Sequence, residues 1–455
     1  MTSSLSTPAA GEGDVNSSPR RSAWSAQYVA ENSRALIERD ARVFLRQSVS
    51  TPCLSAVKKV EGVWLEDADG RRYLDFHGNS VHHIGHAHPK LIREITAQLG
   101  ELTFAPRRFT CERSVELAER LTTLAPGDLN RVLFAPSGSD AIEIAIAYAR
   151  AATGRFKTIS FWDSFHGSGF AARSIGGEQM FRSAPIGPLL PGAQLVPPFG
   201  DYRNVWGVRE GSGELCARMI RYVLEKEGDV AAVIAEPMRA VPYVAPPSFW
   251  KQVRKACDDH GALLIFDEIP TGLGKTGRMF ACEHEEVVPD ILVLGKSLGG
   301  GILPVAAVLT RETLDVCNHV SYGHYTHEKN PVTARAALAT LDIIEEEQLV
   351  ANAAAMGEYA LKHLRELQAS HPLIGDVRGR GCLLGVELVV ERESREPAGD
   401  AADAVLYGAL ARGLSFKISL GNVLTLAPPL IVQRNQWDQA ISILDESLAE
   451  AERSL

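Results

Sequence analysis

From Arg131 onward the chain alternates short, almost unbroken apolar runs with segments of helical periodicity, and this alternation constrains the fold more than any other feature. The runs are Val132–Ala135, Thr158–Phe161, Ala231–Ala235, Leu263–Phe266, Ile291–Leu294 and Val305–Leu309. Helical patterns fall near Ala141–Ala152, Pro247–His260 and Pro331–Glu347. A strand that is apolar on both faces must be covered on both. Strands of this kind interleaved with helices predict an α/β domain around an open, largely parallel sheet. In such a sheet, ligands bind beyond the carboxyl ends of the strands.

This domain is expected over residues 80–345. Residues 1–24 (MTSSLSTPAAGEGDVNSSPRR and the next few) are small and polar, lack the apolar stretch of a secretory signal, and read as a disordered tail. A helix is expected from about Ala26 to Arg42. Gly62–Leu65 and Arg72–Phe76 flank Asp67-Ala68-Asp69-Gly70 and predict a β-hairpin. Residues 25–79 and 346–455 together are expected to form a smaller α+β domain. Its C-terminal part carries a long helix, strands near Cys382–Val389 and Val423–Leu426, a helix near Ala402–Gly413, and a final helix capped by Asn435. The Pro- and Gly-rich stretch 175–205 predicts a long loop.

With 47 Lys+Arg against 56 Asp+Glu, the net charge of −9 speaks against nucleic acid, which favours a basic stripe. No apolar run has the length of a membrane span. The seven cysteines are scattered, with no CxxC pair, which fits free thiols and a cytoplasmic location.

Two charges stand where charge is costly. Asp267 ends the run Leu264-Ile265-Phe266, and Lys296 follows Ile291-Leu292-Val293-Leu294-Gly295. Buried carboxylates require a cation or a ligand. A desolvated lysine becomes a nucleophile for carbonyls. A lysine bonded to an aldehyde, with an acid at the ring nitrogen, is the arrangement used with pyridoxal 5'-phosphate (PLP). Ser137-Gly138-Ser139-Asp140 opens a helix after a strand and offers N–H groups to a phosphate. Phe165-His166-Gly167 offers an aromatic face to a ring. Each segment also has an ordinary structural reading, as a cap, an ion pair or a core aromatic.

Taken in order, these segments resemble the class III PLP-dependent aminotransferases of fold type I. The resemblance also rests on Gly85-His86-Ala87-His88-Pro89, Glu236-Pro237, Phe266-Asp267-Glu268 with Thr271-Gly272, Asn330-Pro331 and Pro428-Pro429-Leu430. It implies a large domain with a mostly parallel sheet of the seven-stranded type. It implies that Lys296 bonds to the coenzyme aldehyde and shuttles a proton, and that Asp267 holds the ring-nitrogen proton. Ser137, Gly138 and Ser139 would bind the phosphate, Phe165 would stack on the ring, and Glu236 would lie at the coenzyme. Thr326 matches a threonine that reaches the phosphate from the neighbouring subunit, which implies a homodimer.

The departures from the family pattern bear on the substrate. Pro270, Lys275, Asp140 and Ile142 replace the usual residues, and Thr425 stands where the family commonly places an arginine for the substrate α-carboxylate. A guanidinium–carboxylate pair is not replaced by a hydroxyl. Polar residues at Asn79, Ser80, His82, His83, His327, Arg107, Arg108 and Arg239 suit a small, highly charged substrate such as a phosphonate. Of these, Asn79, His82, Arg108, Arg239 and His327 are the substrate-binding candidates. Arg108-Phe109-Thr110, Gly176-Gly177-Glu178 and Tyr325-Thr326-His327-Glu328-Lys329 resemble the (R)-1-hydroxy-2-aminoethylphosphonate ammonia-lyases. His371-Pro372-Leu373-Ile374 and Gly421-Asn422-Val423-Leu424 share the look of aminocaprolactam racemases. The expected reaction is elimination of ammonia from a hydroxy-aminophosphonate, with transamination to a 2-oxo acid and racemisation as alternatives.

Other chemistries fit less well. Gly272-Leu273-Gly274-Lys275-Thr276 lacks the first glycine of a P-loop, because Ile269 occupies that position. A nicotinamide-binding G-x-G-x-x-G after an early strand is missing. His82, His83, His86 and His88 are joined by no cysteine and no HExxH pattern, so no metal is expected.

Overall fold

The computed structural model describes residues 18–47, 53–182, 186–200 and 202–454. They divide into two compact units. One comprises Asn79–Ile84 and Pro89–Ala351; the other comprises the described residues up to Gly78, Gly85–His88, and those from Asn352 onward.

The first unit is built on a seven-stranded sheet. Its order is Arg131–Ala135, Ala306–Thr310, Ile291–Leu294, Leu263–Asp267, Val230–Ala235, Lys157–Phe161 and Ala193–Val196. Ala306–Thr310 runs antiparallel to both neighbours. The remaining pairings are parallel. The central strands are buried along their whole length, as their apolar runs require. The helix Gly138–Thr153 buries Ala141, Ile142, Ile144, Ala145 and Ala149 in the core shared with Ile234, Ile265 and Val293. Each buried isoleucine or valine contributes about 1.5–3 kcal/mol.

Within this unit, two elements differ from the sequence reading. The expected loop over 175–205 contains the strand Ala193–Val196, paired parallel to Thr158–Phe161. As a half-covered edge strand of four residues beside Gly192 and Pro197, it carries no strong apolar pattern. The helix Ser212–Glu227, not singled out in the sequence, buries Cys216, Ile220 and Leu224, one per turn.

The second unit holds two four-stranded sheets. Val57–Glu61, Trp64–Asp67 and Arg72–Asp75 form an antiparallel meander, and Leu414–Ser415 pairs parallel with its last strand. The expected hairpin turn is held by Asp67, whose Oδ1 accepts from Asp69 N at 3.0 Å and Arg71 N at 2.9 Å. The second sheet runs Ile374–Arg380, Leu383–Leu388, Val423–Leu426 and Lys417–Ser419.

The expected tail lies outside the described residues up to residue 17, but its end is ordered. Ser18 caps a helix Pro19–Tyr28 by accepting from Arg21 N at 3.0 Å, and Trp24 is buried. The expected helix from Ala26 is interrupted at Val29, which is extended, and a second helix runs Glu31–Val43. The C-terminal helix starts at Arg434, so Asn435 lies inside it and does not cap it. All seven cysteines are free. Among the described residues, no helix is long and apolar enough to cross a membrane.

Candidate active site

Asp267 and Lys296 sit at the carboxyl ends of adjacent parallel strands. Asp267 pairs in register with Val293, three residues before the lysine. Gly295 is extended, and Lys296 itself takes φ 46°, the left-handed region. An L-residue enters that region at a cost of about 1–2 kcal/mol, and such strain commonly marks a functional position.

Asp267 is buried and held from two sides. Its Oδ2 lies 2.8 Å from His166 Nδ1, and its Oδ1 accepts from Ile269 N at 3.1 Å. His166 donates from Nδ1, and its Nε2 is buried with no hydrogen-bond partner. The sequence presents His166 only as part of the Phe165-His166-Gly167 motif. Its role depends on a partner 101 residues away.

Ser137 is extended and caps the Gly138–Thr153 helix, accepting from Asp140 N at 3.2 Å. The N–H groups of Gly138 and Ser139 lie in the first turn, where a helix supplies them no partner. The backbone there is tightly enclosed. A Cβ at Gly138 would come within 2.9 Å of Ile269 Cδ1, and one at Gly167 would meet Ser139 Oγ at 2.7 Å. Ile269 also lies against Gly295, 3.3 Å from where its Cβ would be. Ser139 Oγ accepts from Ser168 N at 3.0 Å and keeps its own proton to donate. The helix start, the 165–168 loop, the Asp267 strand end and the Gly295-Lys296 turn therefore converge around Ile269. Phe165 is half-buried, its ring centroid 4.5 Å from that of Phe181.

Two further groups belong to this region. Glu268 is buried and accepts from Ala281 N at 2.6 Å and Cys282 N at 2.8 Å. Burial nevertheless pushes its carboxyl up to about 7. His83 is buried, with Nδ1 at 3.2 Å from Leu273 O. Burial, followed by the charges of Lys275, His82 and Lys296, holds its imidazole well below its usual value, so it is neutral.

The substrate-side candidates are more dispersed. His82 is buried, whereas Asn79 is exposed with φ 45°. Arg239 is buried and donates to Asp163 O. Glu236 is buried, and its Oε2 accepts from Ala240 N at 3.4 Å. Arg108, Thr326 and His327 are exposed. His327 Nδ1 lies 3.1 Å from Asn330 Nδ2, and the His327 ring packs edge-on to Phe104. Arg107 joins the two surface segments by donating to Tyr325 O at 3.1 Å. In the other unit, Thr425 is 1% exposed and donates to Ser419 Oγ at 2.9 Å, so its hydroxyl is engaged within its own sheet.

The arrangement answers to an aromatic aldehyde that carries a phosphate. It offers a buried carboxylate fixed by histidine, an amine one strand away, and a glycine-bounded helix N-terminus as an anion cradle. These are the features of a PLP-dependent enzyme of fold type I.

Residues 46–448 match the family model for class III aminotransferases, and the chain belongs to that family. It is 44% identical to an (R)-1-hydroxy-2-aminoethylphosphonate ammonia-lyase of Vibrio splendidus, over 96% of this chain and 95% of the relative. It is 34% identical to an isoleucine 2-epimerase of Lentilactobacillus buchneri, over 93% and 96% of the two chains. Among solved structures, it resembles a PLP-bound amine transaminase from an uncultivated Pseudomonas species. The TM-score is 0.83 at 32% identity, covering 87% of this chain and 95% of the other. The protein is accordingly a PLP-dependent enzyme.

Proposed function

We propose that this enzyme is an ammonia-lyase acting on a small hydroxy-aminophosphonate such as (R)-1-hydroxy-2-aminoethylphosphonate. The observation that carries the reading is the 44% identity to a lyase of that name along nearly the whole chain. The engaged hydroxyl of Thr425, at the position where an arginine would grip an α-carboxylate, agrees with it. When bound, PLP supplies an electron sink next to the amine-bearing carbon. Asp267, fixed by His166, would hold the proton of the ring nitrogen, and Lys296 would be the amine for the aldehyde. Gly138, Ser139 and the Ser137 cap would take the phosphate at the helix N-terminus, and Phe165 and Glu236 would help hold the coenzyme.

Lys296 Nζ removes a proton from the amine-bearing carbon. Hydroxide leaves the neighbouring carbon, expelled by the electron pair of the broken C–H bond, and takes the proton held on Lys296 Nζ to depart as water. The enamine set free takes up water and yields phosphonoacetaldehyde and ammonia, so one water leaves and one enters. Neutral His83 adds a polar but uncharged wall near Lys296. The exposure of Thr326 is what a role in the partner's phosphate site within a homodimer requires.

The test is incubation with the hydroxy-aminophosphonate in the absence of any keto acid. Ammonia release over many turnovers is expected. A single turnover, resumed on addition of pyruvate or 2-oxoglutarate, would instead establish transamination, the reading favoured by the likeness to an amine transaminase.

A further inference from the structure

Arg239 is 4% exposed, yet among the described residues no carboxylate pairs with its guanidinium. One nitrogen, Nη2, donates to the carbonyl of Asp163. Its Nε–H is buried and has no hydrogen-bond partner. The Tyr243 ring lies 5.5 Å from Cζ, and the backbone is fixed by a bond from Arg239 N to Tyr243 O at 3.1 Å. Glu236, three residues upstream, accepts instead from Ala240 N. A buried charge left without a counter-ion is among the costliest arrangements in a protein interior, and it is retained where a ligand completes it.

The position of Arg239 suggests that ligand. It lies four residues beyond the Val230–Ala235 strand, whose end pairs Ala235 with Phe266, next to Asp267. The carbonyl that holds its Nη2 belongs to Asp163, three residues before His166, the partner of Asp267. The guanidinium is therefore tied to the same loop that fixes the Asp267 carboxylate, at the ligand-binding edge of the sheet.

We propose that Arg239 is the specificity-determining residue for the anionic end of the substrate, and that its unpaired Nε–H edge binds a phosphonate oxygen. The inference rests on the lyase reading for the identity of the substrate, but not for the presence of an anion site. Guanidinium groups recognise tetrahedral oxyanions through paired N–H donors, a geometry that a lysine ammonium does not reproduce.

The experiment compares two amines on the coenzyme-loaded protein, each titrated by the change in coenzyme absorbance. One is 2-aminoethylphosphonate; the other is ethanolamine, which carries no anion. Arg239→Met is expected to weaken 2-aminoethylphosphonate about 100-fold and ethanolamine less than about threefold, as befits loss of one partner of a desolvated charge pair. Arg239→Lys is expected to weaken the phosphonate about tenfold. Equal weakening of both amines by Arg239→Met, or no weakening of the phosphonate, would overturn the proposal. Should Arg239→Met fail to fold, Arg239→Lys decides alone, and wild-type affinity for the phosphonate in that variant overturns the assignment. These titrations read binding. If wild-type enzyme releases no ammonia yet shows the charge-selective loss, only the lyase reading falls.

Discussion

The His166–Asp267 pair permits a quantitative test. His166→Phe keeps a ring in place but removes the donor that sits 2.8 Å from Asp267 Oδ2. Both side chains are essentially inaccessible, at 0% and 3%, so water does not replace the lost bond. Hydrogen bonds to charged groups contribute about 1.5–3 kcal/mol net. Asp267 would keep only the bond from Ile269 N, and its Oδ2 would lose the contact that fixes the carboxylate in place. At about 1.4 kcal/mol per factor of ten, coenzyme affinity should fall by about 10- to 150-fold. Equilibrium dialysis against graded PLP gives the dissociation constant, and Asp267→Asn with the double variant completes a mutant cycle. The two losses should be far from additive, since both act on one interaction. Retention of coenzyme within about threefold of wild type, or strict additivity, would refute the view that the histidine acts through this carboxylate.

Three further expectations are independent of that pair. Gly167 has φ 127° and no room for a Cβ beside Ser139, so Gly167→Ala should cost more than about 1 kcal/mol in urea unfolding and weaken phosphate-dependent coenzyme retention; unchanged stability would show that the loop can yield. Burial raises the Glu268 carboxyl from 4.5 to about 7, so the native state binds more protons than the unfolded chain within that window. Its contribution to stability is then full below about pH 4.5 and falls by about 3 kcal/mol as pH rises to 7, and Glu268→Gln should flatten the pH dependence of the urea midpoint. His371 is drawn down by burial but raised overall from 6.5 by Asp445 and Glu452, 2.7 and 3.0 Å away. Its contribution is full below pH 6.5 and is lost as pH rises through the higher folded value, so melting temperatures of wild type and His371→Gln should converge on the alkaline side.

The parts of the fold legible in the sequence are those whose physics is local. Ile291–Leu294 and Leu263–Asp267 are apolar throughout because both faces are covered, and the same burial made Asp267 and Lys296 conspicuous. Ala193–Val196 escaped because an edge strand needs only one covered face. The helix at Pro19 escaped because its polar surroundings masked a single buried apolar anchor, Trp24, beside a buried arginine, Arg21. In the site, the acid, the lysine and the cap Ser137 were readable from their place at element ends. The histidine bonded to Asp267 was not, because nothing in Phe165-His166-Gly167 indicates what Nδ1 will meet 101 residues later. The missing counter-ion of Arg239 was equally invisible, because pairing is a property of space and not of order along the chain.

That last contrast bears on how a family of one coenzyme diversifies. A carboxylate-gripping arginine commits an enzyme to amino acids, and removing it alone yields only weaker binding of the same substrates. A change of substrate class needs a second event, a new charge placed where the new anion will lie. Thr425 and Arg239 carry the two marks separately. The threonine hydroxyl is engaged by Ser419 and offers no guanidinium to a carboxylate. The guanidinium is buried with its Nε–H unpartnered, and an anion bound there would offset that cost. A buried arginine without a counter-ion is thus stronger evidence about a substrate than a missing one, because an absence is compatible with many ligands and an unpaired charge with few.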